Sequence, residues 1–365
     1  MVKRTWLVTI SVLTVAILLA LMMGACSSPA PAPAPSPTPS PAPAPAAKTW
    51  ELKVVDNSGN PANEEFQQFW DWTRRVTVAT GGRVTWKYLG GPEVYPLNEV
   101  TQALIDGLFD AFPGVATYYS GIIPAVLVQP LTGYGAAGLR KSGFNDIMDA
   151  ALNEHGLHYL FNQRTSPDYL GNSGIFTNKP VNSSADLKGM KLRAKAPEDA
   201  VMKAFGATTV MVQADEIYTA VERGLVDGTV YPSSQTFYAR SLNEVLKYWN
   251  GPTFFKNSTL SAMNLKTWQS FPADIQQIMN EQAAAAEETW APLWESILSF
   301  DQIRLQRDLQ RILWTPEDSQ QFYTKGYQAA WESYTQKNPV YGPKFKAVAG
   351  DNEYLPPISA QVQIK

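Results

Sequence analysis

With one cysteine in 365 residues, this chain can form neither an internal disulfide nor a thiolate-rich metal cluster. Histidine is nearly as scarce, with two residues, which leaves little for imidazole-based proton transfer. A basic excess is missing too. The 30 Lys and Arg stand against 33 Asp and Glu, a net charge of −3, whereas a nucleic-acid binder shows clustered positive charge. These shortages disfavour most enzyme classes. The length suits two lobes with separate cores, because single cores stop growing near about 250–300 residues.

The N-terminal residues predict the compartment. Lys3 and Arg4 precede an uncharged stretch from Trp6 to Met23, and Gly24-Ala25 lead into Cys26, the only cysteine. Residues 1–25 read as an export signal. The apolar run is also long enough for a permanent membrane anchor. Cleavage with lipid attachment at Cys26 fits better, because small residues precede the cysteine and a polar tract follows it, as in bacterial lipoproteins. Two acyl chains on Cys26 would hold the protein at a membrane surface. Loss of Lys3 and Arg4 leaves 28 basic against 33 acidic residues. From Pro29 to Pro45 every second residue is proline, which fixes φ and removes donors, so residues 26–47 predict an extended, semi-rigid stalk. The folded part is expected from Lys48.

Beyond Trp50, strand-like and helix-like segments alternate, the pattern of an α/β fold. Strands are predicted over 51–56 and 83–88 and around 109–112, with helices over 64–78 and 97–108 between them, a βαβαβ unit. The segment from Met190 to Gly251 repeats the pattern: strands over 190–194, 209–212 and 227–231, and helices over 197–205 and 215–223. Pro272-Ala-Asp274 opens a helix-rich region that reaches about Ile312. A last helix is expected over 316–336, then an irregular tail. Two α/β lobes joined by crossing segments leave a cleft, where ligands usually bind.

Several motifs have a bland reading beside a functional one. Gly133-Tyr-Gly-Ala-Ala-Gly138 matches G-x-G-x-x-G, but no strand leads directly into it, so it reads as a glycine-rich loop lining the cleft and not a dinucleotide fingerprint. His155 and His158 lack a third metal ligand and read as a helix end running into a strand over 158–161. Gly171-Asn-Ser173-Gly174 is not a nucleophile elbow. The 11 Trp, 16 Tyr and 15 Phe are mostly core, Phe66, Phe69 and Trp70 among them. Those in predicted loops, namely Tyr95, Tyr118-Tyr119, Tyr134, Tyr231, Phe237-Tyr238 and Phe254-Phe255, are candidate walls for an organic ligand. The most informative stretch runs from Ser184 to Pro197. Lys191, Arg193 and Lys195 share one face of its strand, either as a solvated basic edge or with Arg193 facing the cleft, where its planar fork can grip a carboxylate.

The stretches Thr80-Gly-Gly-Arg-Val84, Leu104-Ile-Asp-Gly-Leu-Phe-Asp110, Asp186-Leu-Lys-Gly-Met-Lys-Leu-Arg193, Phe205-Gly-Ala207 and Glu216-Ile-Tyr-Thr-Ala-Val-Glu-Arg-Gly-Leu-Val-Asp-Gly228 together resemble the extracytoplasmic solute-binding proteins of tripartite ATP-independent periplasmic (TRAP) transporters. The resemblance covers about Trp50 to Trp290. It implies a two-lobed periplasmic-binding-protein-like α/β fold with a hinge and an interlobe cleft. Lobe I would be 48–171 with 257–297, and lobe II 172–256 with 298–365. It implies capture of a small organic acid and delivery to membrane permease subunits, with no enzymatic step; the residues themselves give no reason to expect a cofactor or a protein-held metal. The arginine ending the Lys-Gly-x-Lys-x-Arg strand grips the ligand in this family, which here is Arg193. Tyr231 stands where relatives commonly place Asn or Trp to line the site. Sialic-acid-type members carry a second arginine where this chain has Ser173, which argues against a sugar acid or a tightly held dicarboxylate. Glu93 and Tyr95, in a loosely matching loop, complete the candidates with Tyr118, Tyr134 and Phe254. Two rivals are an anchored enzyme using Glu93 or Glu154 as acid–base and a sugar- or peptide-binding protein of an ATP-driven importer.

Overall fold

A computed structural model describes residues 48–163, 173–255 and 259–349. The export signal, Cys26 and the proline tract lie outside the described residues, as do 171 and 257, where the lobes are expected to divide.

Eleven strands among the described residues form two sheets. The first has the order β2-β1-β3-β10-β4, where β1 is Trp50–Val55, β2 Val84–Gly90, β3 Ala111–Val115, β4 Leu157–Gln163 and β10 Thr259–Asn264. β1 runs parallel to β2 and β3, and β10 runs antiparallel to β3 and β4. The second sheet has the order β11-β9-β5-β8-β6-β7. Here β5 is Ser173–Thr177, β6 Lys191–Arg193, β7 Thr208–Val210, β8 Gly228–Pro232, β9 Tyr248–Phe254 and β11 Gln310–Ile312. β6 lies parallel to both β7 and β8, and β5 runs antiparallel to β8 and β9.

The predicted βαβαβ units are present. β3, buried along most of its length, shows the unbroken apolar character of a strand covered on both faces. The predicted 97–108 helix is shorter, Val100–Ile105. Gly107 at φ +76° ends it, a left-handed position that glycine takes without steric cost. The region after Pro272 is one 36-residue helix, Ala273–Asp308. The expected irregular tail instead holds the helix Gly342–Val348. It forms because Pro343 is tolerated in the first turn while Phe345 is fully buried against Phe144, their rings 4.9 Å apart.

Three apolar clusters hold the fold. One lies under the first sheet, where the helix Gln67–Ala79 and the long helix bring Phe69, Trp72 and Ala283 against Phe161. Trp72 Nε1 ties the two helices by donating to the Met279 carbonyl at 3.0 Å. A second lies on the second sheet, around Phe176, Phe237 and Trp249. The largest joins elements of both sheets through the helix Pro316–Lys337. Two of that helix's tyrosine hydroxyls donate in opposite directions, Tyr323 to the Thr253 carbonyl of β9 at 2.7 Å and Tyr334 to the Ala125 carbonyl of the first half at 2.8 Å. Among the described residues no helix is long and apolar enough to cross a membrane.

Candidate functional site

In open α/β sheets, ligands meet the protein beyond the carboxyl ends of parallel strands. Arg193 ends β6, level with Val210 on β7 and Thr229 on β8. The Asp186–Arg193 stretch is built to place it there. Asp186 accepts from the Asn182 and Ser183 backbone N–H groups, and Gly189 makes the turn at φ +80°. Asp227 then clamps the strand, its carboxylate accepting from Lys191 N at 2.8 Å while its own N–H donates to the Lys191 carbonyl at 2.7 Å. The motif residues other than the arginine are therefore scaffold.

Arg193 is 4% exposed. Its Nε donates to the Val212 carbonyl at 3.2 Å, and its Cζ lies 5.9 Å from the centre of the Tyr231 ring. No described acid lies within ion-pair distance. The two terminal nitrogens make no hydrogen bond to described residues. Burial, the largest influence, pulls the guanidinium below its ordinary pKa range; Glu198 and Tyr231 oppose this, and the nearby charge of Arg240 adds to it. An arginine in this state has spent desolvation energy without gaining a carboxylate.

The residues around it come from neighbouring strands. Ser173 on β5 is level with Pro232 on β8, and its hydroxyl lies 3.4 Å from Oε1 of Glu198. Glu198 is 6% exposed, and its other oxygen has no partner among the described residues. Tyr231 on β8 is buried, and its hydroxyl accepts from Arg240 Nε at 2.7 Å. Arg240 itself is exposed, just past the helix Gln235–Ala239. From the first half of the chain comes Tyr118, in the short helix Ala116–Tyr119 that follows β3. Its hydroxyl is raised chiefly by burial and then by Glu65, with Arg240 opposing and Tyr231 and Asp215 adding smaller effects. Tyr118 thus lies within electrostatic range of Arg240 and Tyr231.

Arg193, Tyr231 and Ser173 are brought together on the second sheet, with Tyr118 within electrostatic range from the first half; the other sequence candidates are not. Glu93 is exposed and turns back to accept from Gly91 N at 2.7 Å; that bond and one to its own N–H hold its carboxyl below the usual range. Tyr95 is packed on Phe109, with 5.1 Å between ring centres. Tyr134 is 38% exposed, just before the helix Ala136–Ser142. Phe254 is level with Ser173 on β9, but its 1%-exposed ring packs on Phe255 and Phe322. His158 Nδ1 pairs with Asp149 at 2.8 Å and its ring stacks on Trp268, a structural role on β4. Sequence reasoning missed Glu198 and Arg240. Glu198 follows Pro197 and opens the helix Glu198–Ala204 just after the Arg193 strand, which could have drawn attention. Arg240 carries no such signal.

Two α/β halves presenting an uncompensated arginine at the carboxyl edge of parallel strands define a ligand-binding protein of the two-lobed periplasmic type. Residues 58–337 match the family described as bacterial extracellular solute-binding protein, family 7, and the chain belongs to that family. It is 23% identical over 230 residues to a monocarboxylate 2-oxoacid-binding periplasmic protein of a Nostoc strain, covering 61% of this chain and 63% of the relative. It is 31% identical over 114 residues to the C4-dicarboxylate-binding periplasmic protein DctP of Rhodobacter capsulatus, covering 31% and 33%. The chain thus spans less than two thirds of either curated relative. Its fold resembles the crystal structure of a TRAP periplasmic solute-binding protein from Desulfovibrio salexigens with bound orotic acid. That likeness has a TM-score of 0.70 and 18% identity, and covers 82% of this chain and 97% of that one.

Proposed function

We propose that this protein is the solute-binding component of a TRAP-type secondary transporter, which captures a small organic acid outside the membrane and delivers it to permease subunits. The observation that carries the reading is Arg193, buried with no acid partner among the described residues and with both terminal nitrogens unbonded to them. A ligand carboxylate taking both would form two charge-assisted hydrogen bonds of about 1.5–3 kcal/mol each. Micromolar affinity needs about 8 kcal/mol, so burial of the ligand's apolar part against Tyr118 and Tyr231 supplies the rest at about 25 cal/mol per Å². Ligand contacts to both lobes, 48–171 with 257–297 and 172–256 with 298–365, would favour a closed state. Relatives named for a 2-oxoacid and a C4-dicarboxylate, and a structural neighbour holding orotic acid, support an acid as ligand. The protein binds its acid without transforming it.

A thermal-shift screen over keto, hydroxy, aromatic and amino acids, followed by calorimetry on the hits, tests this reading. Arg193→Ala should abolish binding of every acid that the native protein takes, and equal binding by the mutant would refute it. In the same reading, lipid on Cys26 anchors the protein to the outer face of the cytoplasmic membrane. Cys26→Ser should move it from the membrane fraction to the soluble one.

A further inference from the structure

The long helix Ala273–Asp308 buries Met279, Ala283, Trp294, Leu298 and Leu305 on its core side. On the opposite side a second pattern runs along it. Thr289, Leu293, Ser296, Phe300, Ile303 and Arg307 follow one another at alternating spacings of four and three, the heptad spacing of a coiled-coil seam. All six are exposed, Phe300 at 68%. The other large apolar residues at the surface, such as Val78, Leu108 and Met211, lie apart on other elements and loops. Three apolar side chains in one stripe of a single helix mark a contact face. The seam's two hydroxyl positions are already satisfied inside the helix. Thr289 donates to the Ala285 carbonyl at 2.8 Å and Ser296 to the Pro292 carbonyl at 3.0 Å, so covering them orphans no donor.

We propose that this face binds the same face of a second copy of the chain, the two long helices running antiparallel. A two-fold axis level with Leu298 sets Leu293 of one copy against Ile303 of the other. It also sets the small Ser296 against Phe300, so large meets small along the seam, and Thr289 meets the aliphatic stem of Arg307. Charge selects the direction. The exposed acids Glu288 and Glu295 precede the centre, and the exposed bases Arg304 and Arg307 follow it. Asp308 answers Arg307 within its own chain, and Arg304 lies over the Tyr238 ring, which leaves the C-terminal half net positive. An antiparallel pair brings the acidic half of one copy to the basic half of the other and opposes the helix dipoles, whereas a parallel pair sets like against like. A self-complementary contact of this kind closes at two copies. Arg193 lies on β6, outside the seam, so each copy keeps its own acid site.

Sedimentation equilibrium of the full chain in density-matched detergent tests it, and should show a reversible dimer in the micromolar range. Phe300→Ala should weaken association by about 100-fold or more, because one substitution removes two rings from a two-fold contact. At concentrations where the native chain is monomeric, the same variant should keep the native thermal midpoint. Leu108→Ala, exposed elsewhere on the surface, should leave association intact. Oxidative cross-linking reads the direction, with the native chain and its single Cys26 as background. Leu293→Cys mixed with Ile303→Cys should give a covalent heterodimer, while neither variant alone cross-links above background. A chain that stays monomeric across that range overturns the proposal and leaves the face to the permease subunits. A dimer that survives Phe300→Ala, or self-cross-linking of either cysteine variant, overturns it as well.

Discussion

Replacing Arg193 by methionine separates a binding arginine from a structural one. Methionine keeps the aliphatic stem and discards the charge. Against the change stands the Nε bond to the Val212 carbonyl, worth about 1.5–3 kcal/mol when the donor is charged. In its favour stands relief of a nearly fully buried guanidinium that no described carboxylate pairs with directly and that Glu198 offsets only from a distance. Exchanging buried charges for apolar groups of similar volume is often neutral or stabilising by about 1–4 kcal/mol. The two effects nearly cancel, so the ligand-free mutant should match the native stability within about 1–2 kcal/mol, and its thermal midpoint should move by a few degrees at most. Binding should behave quite differently, because two lost charge-assisted bonds are worth about 3–6 kcal/mol, or roughly a hundred- to ten-thousandfold in affinity. Differential scanning calorimetry of the apoprotein paired with ligand titration reads both quantities. A midpoint loss equivalent to more than about 3 kcal/mol would mean that Arg193 holds the fold together, and the argument from its unpaired state would collapse.

Arg140→Met should do the opposite. It strips the partner from Glu287, whose side chain is 3% exposed and accepts from Arg140 at 2.6 Å, and should cost about 3–5 kcal/mol at neutral pH. Burial already raises the Glu287 carboxyl and Arg140 holds it down. Without Arg140 the folded pKa rises further above the unfolded one, so denaturation curves should show the deficit growing as pH climbs through that window and shrinking near pH 4. Asp149 responds with the other sign. Burial favours its protonation, but the His158 hydrogen bond and charge, with the Tyr159 backbone and Asn153, outweigh that and lower its pKa. Its stabilisation is therefore present above the ordinary carboxylate value and lost as pH falls through the lowered folded value, and Asp149→Asn should flatten that acid limb at a cost of about 1–2 kcal/mol at pH 7. Gly228→Ala would drive a Cβ into the Phe176 carbonyl oxygen across the β5–β8 ladder. It should destabilise by about 1–3 kcal/mol in urea titrations and weaken acid binding as well, since the same ladder positions Ser173 and Tyr231.

How much of this was legible in the sequence depends on whether the signal was local. β6 and its arginine could be read because one short motif contains the cap, the turn and the strand. β9 could not. Gly251-Pro252 inside it reads as a breaker, yet Gly251 at φ +62° sits where the pairing with β5 shifts register, so the strand carries its breaker as a bulge. Phe254 looked like a loop aromatic because nothing near it in sequence shows that Phe322, from a helix more than sixty residues later, covers its ring. The same limit hid Arg240. Its place depends on how the helix Gln235–Ala239 returns toward β8, a tertiary fact with no pattern of its own. The missing arginine at Ser173 was a correct observation about one strand position. It spoke only for that position, because charge acts through space and a ligand meets whatever cation the fold delivers. Ser173 instead lies against Glu198, a buried carboxylate close enough to act on Arg193. An arginine at 173 would pair with that acid, whereas Arg240 donates to a neutral hydroxyl and has no carboxylate partner among the described residues.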